Sequence, residues 1–130
     1  MDAAQALADL TEISSQIEAA VLFDESGALT GSTLADERAA QGLAEAAAKL
    51  LTTAAELRGG DGEVTQLEAS TDDGSVFIVR DGARRIAATT VTDPTVGLVF
   101  YDLKSCLRSV SDPEQAAPKR RRKKADPDAA

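Results

Sequence analysis

Residues 18–32 read EAAVLFDESGALTGS. Ala19 to Phe23 is a nearly continuous apolar run, which fits a strand covered on both faces at the middle of a sheet. Asp24, Glu25, Ser26 and Gly27 supply a turn, because short polar side chains and glycine satisfy a tight reversal locally. Ala28 to Ser32 then returns as the second strand of a hairpin. Thr33, with Asp36 three residues on, has the spacing of a capping box. The polar, alanine-rich run behind it extends to Arg58 and meets a strong stop at Gly59 and Gly60.

Upstream of the hairpin, Leu7, Leu10, Ile13 and Ile17 recur every three or four residues and predict a short amphipathic helix ending near Ser14 or Ser15. In the long helix the apolar stripe is Leu43, Ala47, Leu50, Ala54 and Leu57, with Leu51 beside it. Glu45 and Lys49 are placed to pair across its exposed side. Downstream, Val64, Gln66 and Glu68 alternate with Thr65, Leu67 and Ala69. Asp72, Asp73 and Gly74 then turn the chain into Val76 to Arg80, and Asp81-Gly82 is a hairpin signal leading to a last strand over Ala83 to Val91. Asp93 followed by Pro94 caps and starts a final helix with the face Val96, Val99, Phe100, Leu103, Leu107 and Val110. The fold class is α/β (α+β) with the order α-β-β-α-β-β-β-α. Its hairpin connections predict a five-stranded antiparallel sheet, with the long helix on one face and the terminal helices near it.

Composition narrows the function. The chain has 130 residues and 43% apolar residues, enough for one core and not for two. Aromatics are 3% and Trp is absent, so the core is built from Leu, Val, Ile and Ala. There is no His and a single cysteine, Cys106, so an internal disulfide, a zinc set and the common catalytic triads lack their parts. Cys106 sits near the apolar stripe of the last helix and reads as packing. Gly59-Gly60-Asp61-Gly62 lacks the lysine of a phosphate-binding loop and follows a helix instead of opening one. Asp24-Glu25 and Asp72-Asp73 sit in turns, where acids are ordinary. The sequence is therefore read as non-enzymatic, without cofactor or metal. No apolar run approaches the roughly 20 residues that cross a bilayer, and Asp2 follows Met1 without a basic leader, so the expectation is a cytoplasmic protein.

Charge divides the chain. Residues 119–130 hold six basic and two acidic side chains, while residues 1–118 hold eight and twenty. The basic run Lys119, Arg120, Arg121, Arg122, Lys123 and Lys124 follows a proline-flanked segment with little to bury. Residues 1–111 are read as the folded domain and 112–130 as an unstructured tail. The tail has no aromatic side chain for base stacking and no apolar anchor for lipid, so it offers a weak electrostatic contact with nucleic acid or an anionic membrane, or folds back on the acidic body. Arg84 and Arg85 open the last strand on opposite faces, with ion pairing to the acidic body as the expectation.

Taken together, the EAAVLFDESGALTGS hairpin, the helix closing on Arg58-Gly59-Gly60, the DDGSVFIVRDG meander and the DPTVGLVFYDLKSCL helix resemble a Roadblock domain, the dynein-light-chain type, over about residues 2–111. Longin and profilin-like domains share much of the pattern. The resemblance implies a homodimer in which third strands pair across a two-fold axis and the long helices pack together. It also implies a scaffold or regulator of a Ras-like small GTPase. The interface residues would be Glu63, Val64, Gln66, Leu67 and Glu68 on the strand, with Leu43, Ala46, Ala47, Leu50 and Ala54 on the helix. The residues alone leave a second possibility, that Val64 and Leu67 fill the monomer core and the edge stays solvated. The rival function is an adaptor tethered by its basic tails.

Overall fold

In a computed structural model, residues 1–59 and 62–110 are described. The elements are α1 (Ala3–Ile13), β1 (Ile17–Phe23), β2 (Leu29–Ser32), α2 (Glu37–Leu57), β3 (Gln66–Thr71), β4 (Gly74–Asp81), β5 (Arg84–Thr90) and α3 (Val96–Ser109), in the order read from the sequence. The sheet is antiparallel throughout, with spatial order β2-β1-β5-β4-β3. The hairpin strand β1 and the last strand β5 therefore meet at the centre, and β3 is a free edge.

Strand alternation sorts the core into two layers. Ala20, Leu22, Phe77, Val79, Ile86 and Ala88 face α1 and α3, which contribute Leu7, Leu10, Val99, Leu103 and Leu107. Phe100 adds an edge-to-face contact with Phe77 at 4.9 Å between ring centroids. The opposite face presents Val21, Phe23, Ile78 and Ala87 to Ala40, Ala44, Ala47 and Leu51 of α2. The terminal helices thus lie across the sheet from the long helix and not beside it. A sheet apolar on both faces requires a cover on each, and α2 covers only one.

Four local expectations give way. The α2 cap is Asp36, whose carboxylate accepts from Arg38 N, while Thr33 Oγ1 accepts from Ala20 N at 2.9 Å and ties the helix approach to β1. Ile17 opens β1 and is buried, whereas Ile13, at the end of α1, is 72% exposed. The last helix starts two residues beyond Asp93-Pro94: Asp93 takes φ 52°, and the N-cap is Thr95, whose N–H donates to Gln16 Oε1 at 2.6 Å. Glu45 accepts from Gln41 instead of pairing with Lys49. At the β3–β4 turn, Gly74 is fixed by space as well as by φ 147°, since a Cβ there would lie 2.1 Å from the Thr90 carbonyl oxygen.

Candidate functional site

Among the described residues β3 forms one of the sheet's two edges, and the strand residues singled out from the sequence lie on or just before it. Arg80 N donates to the Thr65 carbonyl, and β3 continues in the same register, with Gln66 opposite Val79 and Leu67 opposite Ile78. Because hydrogen-bonded and non-bonded pairs alternate, Leu67 and Ala69 spend their backbone groups on β4, and Gln66, Glu68 and Ser70 turn theirs to the open edge. The side chains follow the other alternation. Leu67 is half-buried under α2 with Val64, while Gln66 and Glu68 lie on the α1–α3 side. Glu63 does not stand free: it pairs with Arg80 at 3.1 Å, and Glu68 accepts from the Ser70 hydroxyl at 2.6 Å.

On α2 the buried face is Ala40, Ala44, Ala47 and Leu51, rotated from the stripe read in the sequence. Alanine lets the helix lie close to the sheet, and the larger leucines are carried to the flank. Ala47 thus belongs to the protomer's own core and has little left to offer a partner. Leu43 and Ala54 are half-buried, Ala46 is exposed, and Leu50 and Leu57 are 39% and 83% exposed. The helix presents an uncovered apolar flank.

Ion pairing does not account for Arg85, which is buried and donates Nη1 to the carbonyls of Gly82 and Ala83 at 3.2 and 2.7 Å. Burial, and after it Arg80, lowers its pKa. Arg80 and Arg85 share a cleft of about 370 Å³ under Leu51, Thr52 and Ala55 of α2. Sequence reading missed this pair because the two turn residues are Gly82 and Ala83, one position on from the Asp81-Gly82 signal; Asp81 pairs with Arg84, and Arg80 and Arg85, equally offset from that turn, stand opposite each other. Cys106 is buried, its thiol pushed up to about 11 chiefly by burial and further by Asp9, as a packing residue would be. Among the described residues no group of three or more His, Cys, Asp or Glu is gathered to hold a metal ion, and no helix is long and apolar enough to cross a membrane. The basic run 119–124 and the boundary near Ser111 lie outside the described residues.

No protein-family model and no curated protein matches the chain. Among solved structures, a Roadblock/LC7 domain from Streptomyces avermitilis superposes with a TM-score of 0.74 at 20% identity, over 84% of this chain and 94% of that one. The fold is that of a Roadblock/LC7 domain. Two further structures share it. The gliding protein MglB of Thermus thermophilus has a TM-score of 0.67 at 14% identity over 80% of this chain and 82% of its own. Myxococcus xanthus MglB has 0.61 at 17% identity over 82% and 85%. At these identities the Roadblock/LC7 likeness is carried by topology and the pattern of apolar positions.

Proposed function

We propose that the chain acts in the cytoplasm as a homodimeric, non-enzymatic scaffold or regulator of a Ras-like small GTPase. The observation that carries the reading is the free edge of β3 lying on the same protomer as the uncovered flank of α2. An exposed strand edge with spare donors and acceptors invites a partner strand. In this reading a second copy supplies it, with Gln66, Glu68 and Ser70 pairing across the two-fold and Leu43, Ala46, Leu50 and Ala54 packing between helices. The GTPase role comes from the Roadblock resemblance, and the MglB neighbours support it at the level of the fold.

Two measurements test it. Sedimentation of the full chain should give a dimer. Capture from native lysate with the tagged chain, in parallel with GDP and a non-hydrolysable GTP analogue, should retain a Ras-like GTPase in a nucleotide-dependent way. A stable monomer removes the interface. A dimer that retains no GTPase with either nucleotide leaves the assembly and removes the partner.

A further inference from the structure

α1 and α3 run antiparallel on their side of the sheet: Cys106 Sγ lies 3.6 Å from the Ala6 carbonyl, and Ala3 and Val110 line one cleft together. Between the helices runs a mostly apolar groove of about 320 Å³, with Leu10 and Ile13 on one wall and Tyr101, Asp102, Cys106 and Ser109 on the other. Ile13 and Tyr101 are 72% and 64% exposed, so among the described residues nothing covers the groove. Its lining holds an oddity. Asp102 is only 8% exposed, yet among the described residues its carboxylate takes part in no hydrogen bond or ion pair. Asp9, which accepts from Gln5 Nε2 at 2.9 Å, lines the same groove.

The Asp102 carboxylate oxygens keep contact with solvent in the groove, and a cation entering there can exchange that solvent for a charge-assisted hydrogen bond. The surroundings specify what kind of cation. Apolar walls suit a long methylene stem, Tyr101 supplies an exposed aromatic ring at the rim, and Asp102 and Asp9 supply carboxylates to the lining. An arginine or lysine side chain uses both the apolar walls and the carboxylates.

We propose that the groove is the docking site of the chain's own basic run, Lys119–Lys124. Chain length and origin single out this occupant. The chain leaves α3 at Ser109, itself a lining residue. Asp102 lies seven residues back, about 10 Å along the helix. The eight residues 111–118 span up to about 26 Å when extended. The basic run therefore reaches Asp102 and Asp9 of its own protomer with chain to spare. Docking sets the six cations against an acidic face and withholds them from other polyanions until something competes for the groove. This inference is independent of the GTPase reading.

The test uses the full chain. Tryptic cleavage within 119–124 is compared in the wild type, Asp102→Asn, and Asp9→Asn with Asp102→Asn, in about 0.05 M and about 1 M salt, where the Debye length falls to about 3 Å. Cleavage after Arg85, buried in the central strand, reports loss of the fold. The expected result is tail cleavage about fivefold faster in the variants at low salt, since cleavage tracks the undocked population, with the difference gone at high salt and cleavage after Arg85 unchanged. Equal tail cleavage in all three chains at low salt overturns the proposal. A second arm leaves the domain unmutated: Arg120→Gln, Arg121→Gln and Arg122→Gln together should shift the backbone amide resonances of Leu10, Ile13, Tyr101 and Asp102. Unmoved groove resonances, or shifts that vanish on tenfold dilution and so belong to another copy's tail, overturn it.

Discussion

Arg80 and Arg85 stand directly opposite one another across β4 and β5, and both line the cleft beneath α2. Like charges in this position are destabilising by up to about 1 kcal/mol. The structure answers with Glu63 on Arg80 and with two carbonyls on Arg85. Glu63 is largely exposed, so its own ion pair contributes little, and its main effect is to blunt the repulsion. Glu63→Gln should cost about 0.5 kcal/mol in the wild type and close to nothing when Arg85→Met has removed the second guanidinium. A double-mutant cycle in urea measures the coupling. An unchanged cost in the Arg85→Met background would mean that the two guanidiniums are independent.

The element order was legible because it is written in runs and turns: Ala19 to Phe23, Asp24 to Gly27 and Asp81-Gly82 each act within a few residues. The distribution of helices between faces was not, because an apolar strand such as β1 signals that both faces are covered and not by which helix. The α2 stripe was misjudged for a related reason. Leu50 and Leu57 are more hydrophobic than Ala40 and Ala44, yet close packing on a sheet selects the smaller side chain and moves the larger to the flank. Of the residues read onto the third strand, Gln66, Leu67 and Glu68 lie in β3 at the sheet edge, while Glu63 and Val64 precede it; the backbone directions depend on the ladder to β4, which no local pattern records. Asp102 escaped notice because a single acid on a helix is ordinary until its burial is known.

The rotation of α2 separates two substitutions that the sequence stripe treats alike. Ala47→Glu puts a charge among Val21, Ile78 and Leu51 and should cost at least about 3 kcal/mol. Leu50→Glu changes the exposed flank and should leave a cooperative unfolding transition while weakening self-association about tenfold, or about 1.4 kcal/mol. Glu45→Ala, which loses one hydrogen bond to Gln41, should stay within about 0.5 kcal/mol on both measures. Thermal melts and sedimentation equilibrium on the same samples separate the effects. A dimer constant unaffected by Leu50→Glu would take the helix out of the interface.

Backbone direction makes a sharper test on β3. Proline at Glu68 removes an N–H that points to the free edge, whereas proline at Leu67 removes one that binds β4. Glu68→Pro should weaken dimerisation about tenfold with a cost to the protomer of about 1 kcal/mol, and Leu67→Pro should destabilise the protomer by about 3 kcal/mol. Glu68→Ala is the control for the lost carboxylate. If Glu68→Pro and Glu68→Ala dimerise alike, the two-fold does not run through this strand edge.

Asp24 gives the hairpin turn a pH signature. One carboxylate oxygen accepts from the Ser26 hydroxyl at 2.7 Å, from Ser26 N at 2.9 Å and from Ala28 N at 3.0 Å. The Ser26 hydroxyl first, and the Ala28 amide after it, hold the carboxyl below its ordinary 3.8, against a smaller opposing effect of burial. A folded value below the unfolded one means that the charged form stabilises the turn. That contribution is complete above the unfolded value of 3.8 and is lost as pH falls through the folded one. Asp24→Asn has no proton to take up, so its deficit in Tm against the wild type should be constant from neutral pH to about pH 5 and close below it. The other carboxylates titrate in both chains and cancel in the difference. Melting both proteins across this range at fixed ionic strength decides the matter, and a gap that persists undiminished into the acid limit would show that the turn relies on hydrogen-bond geometry alone.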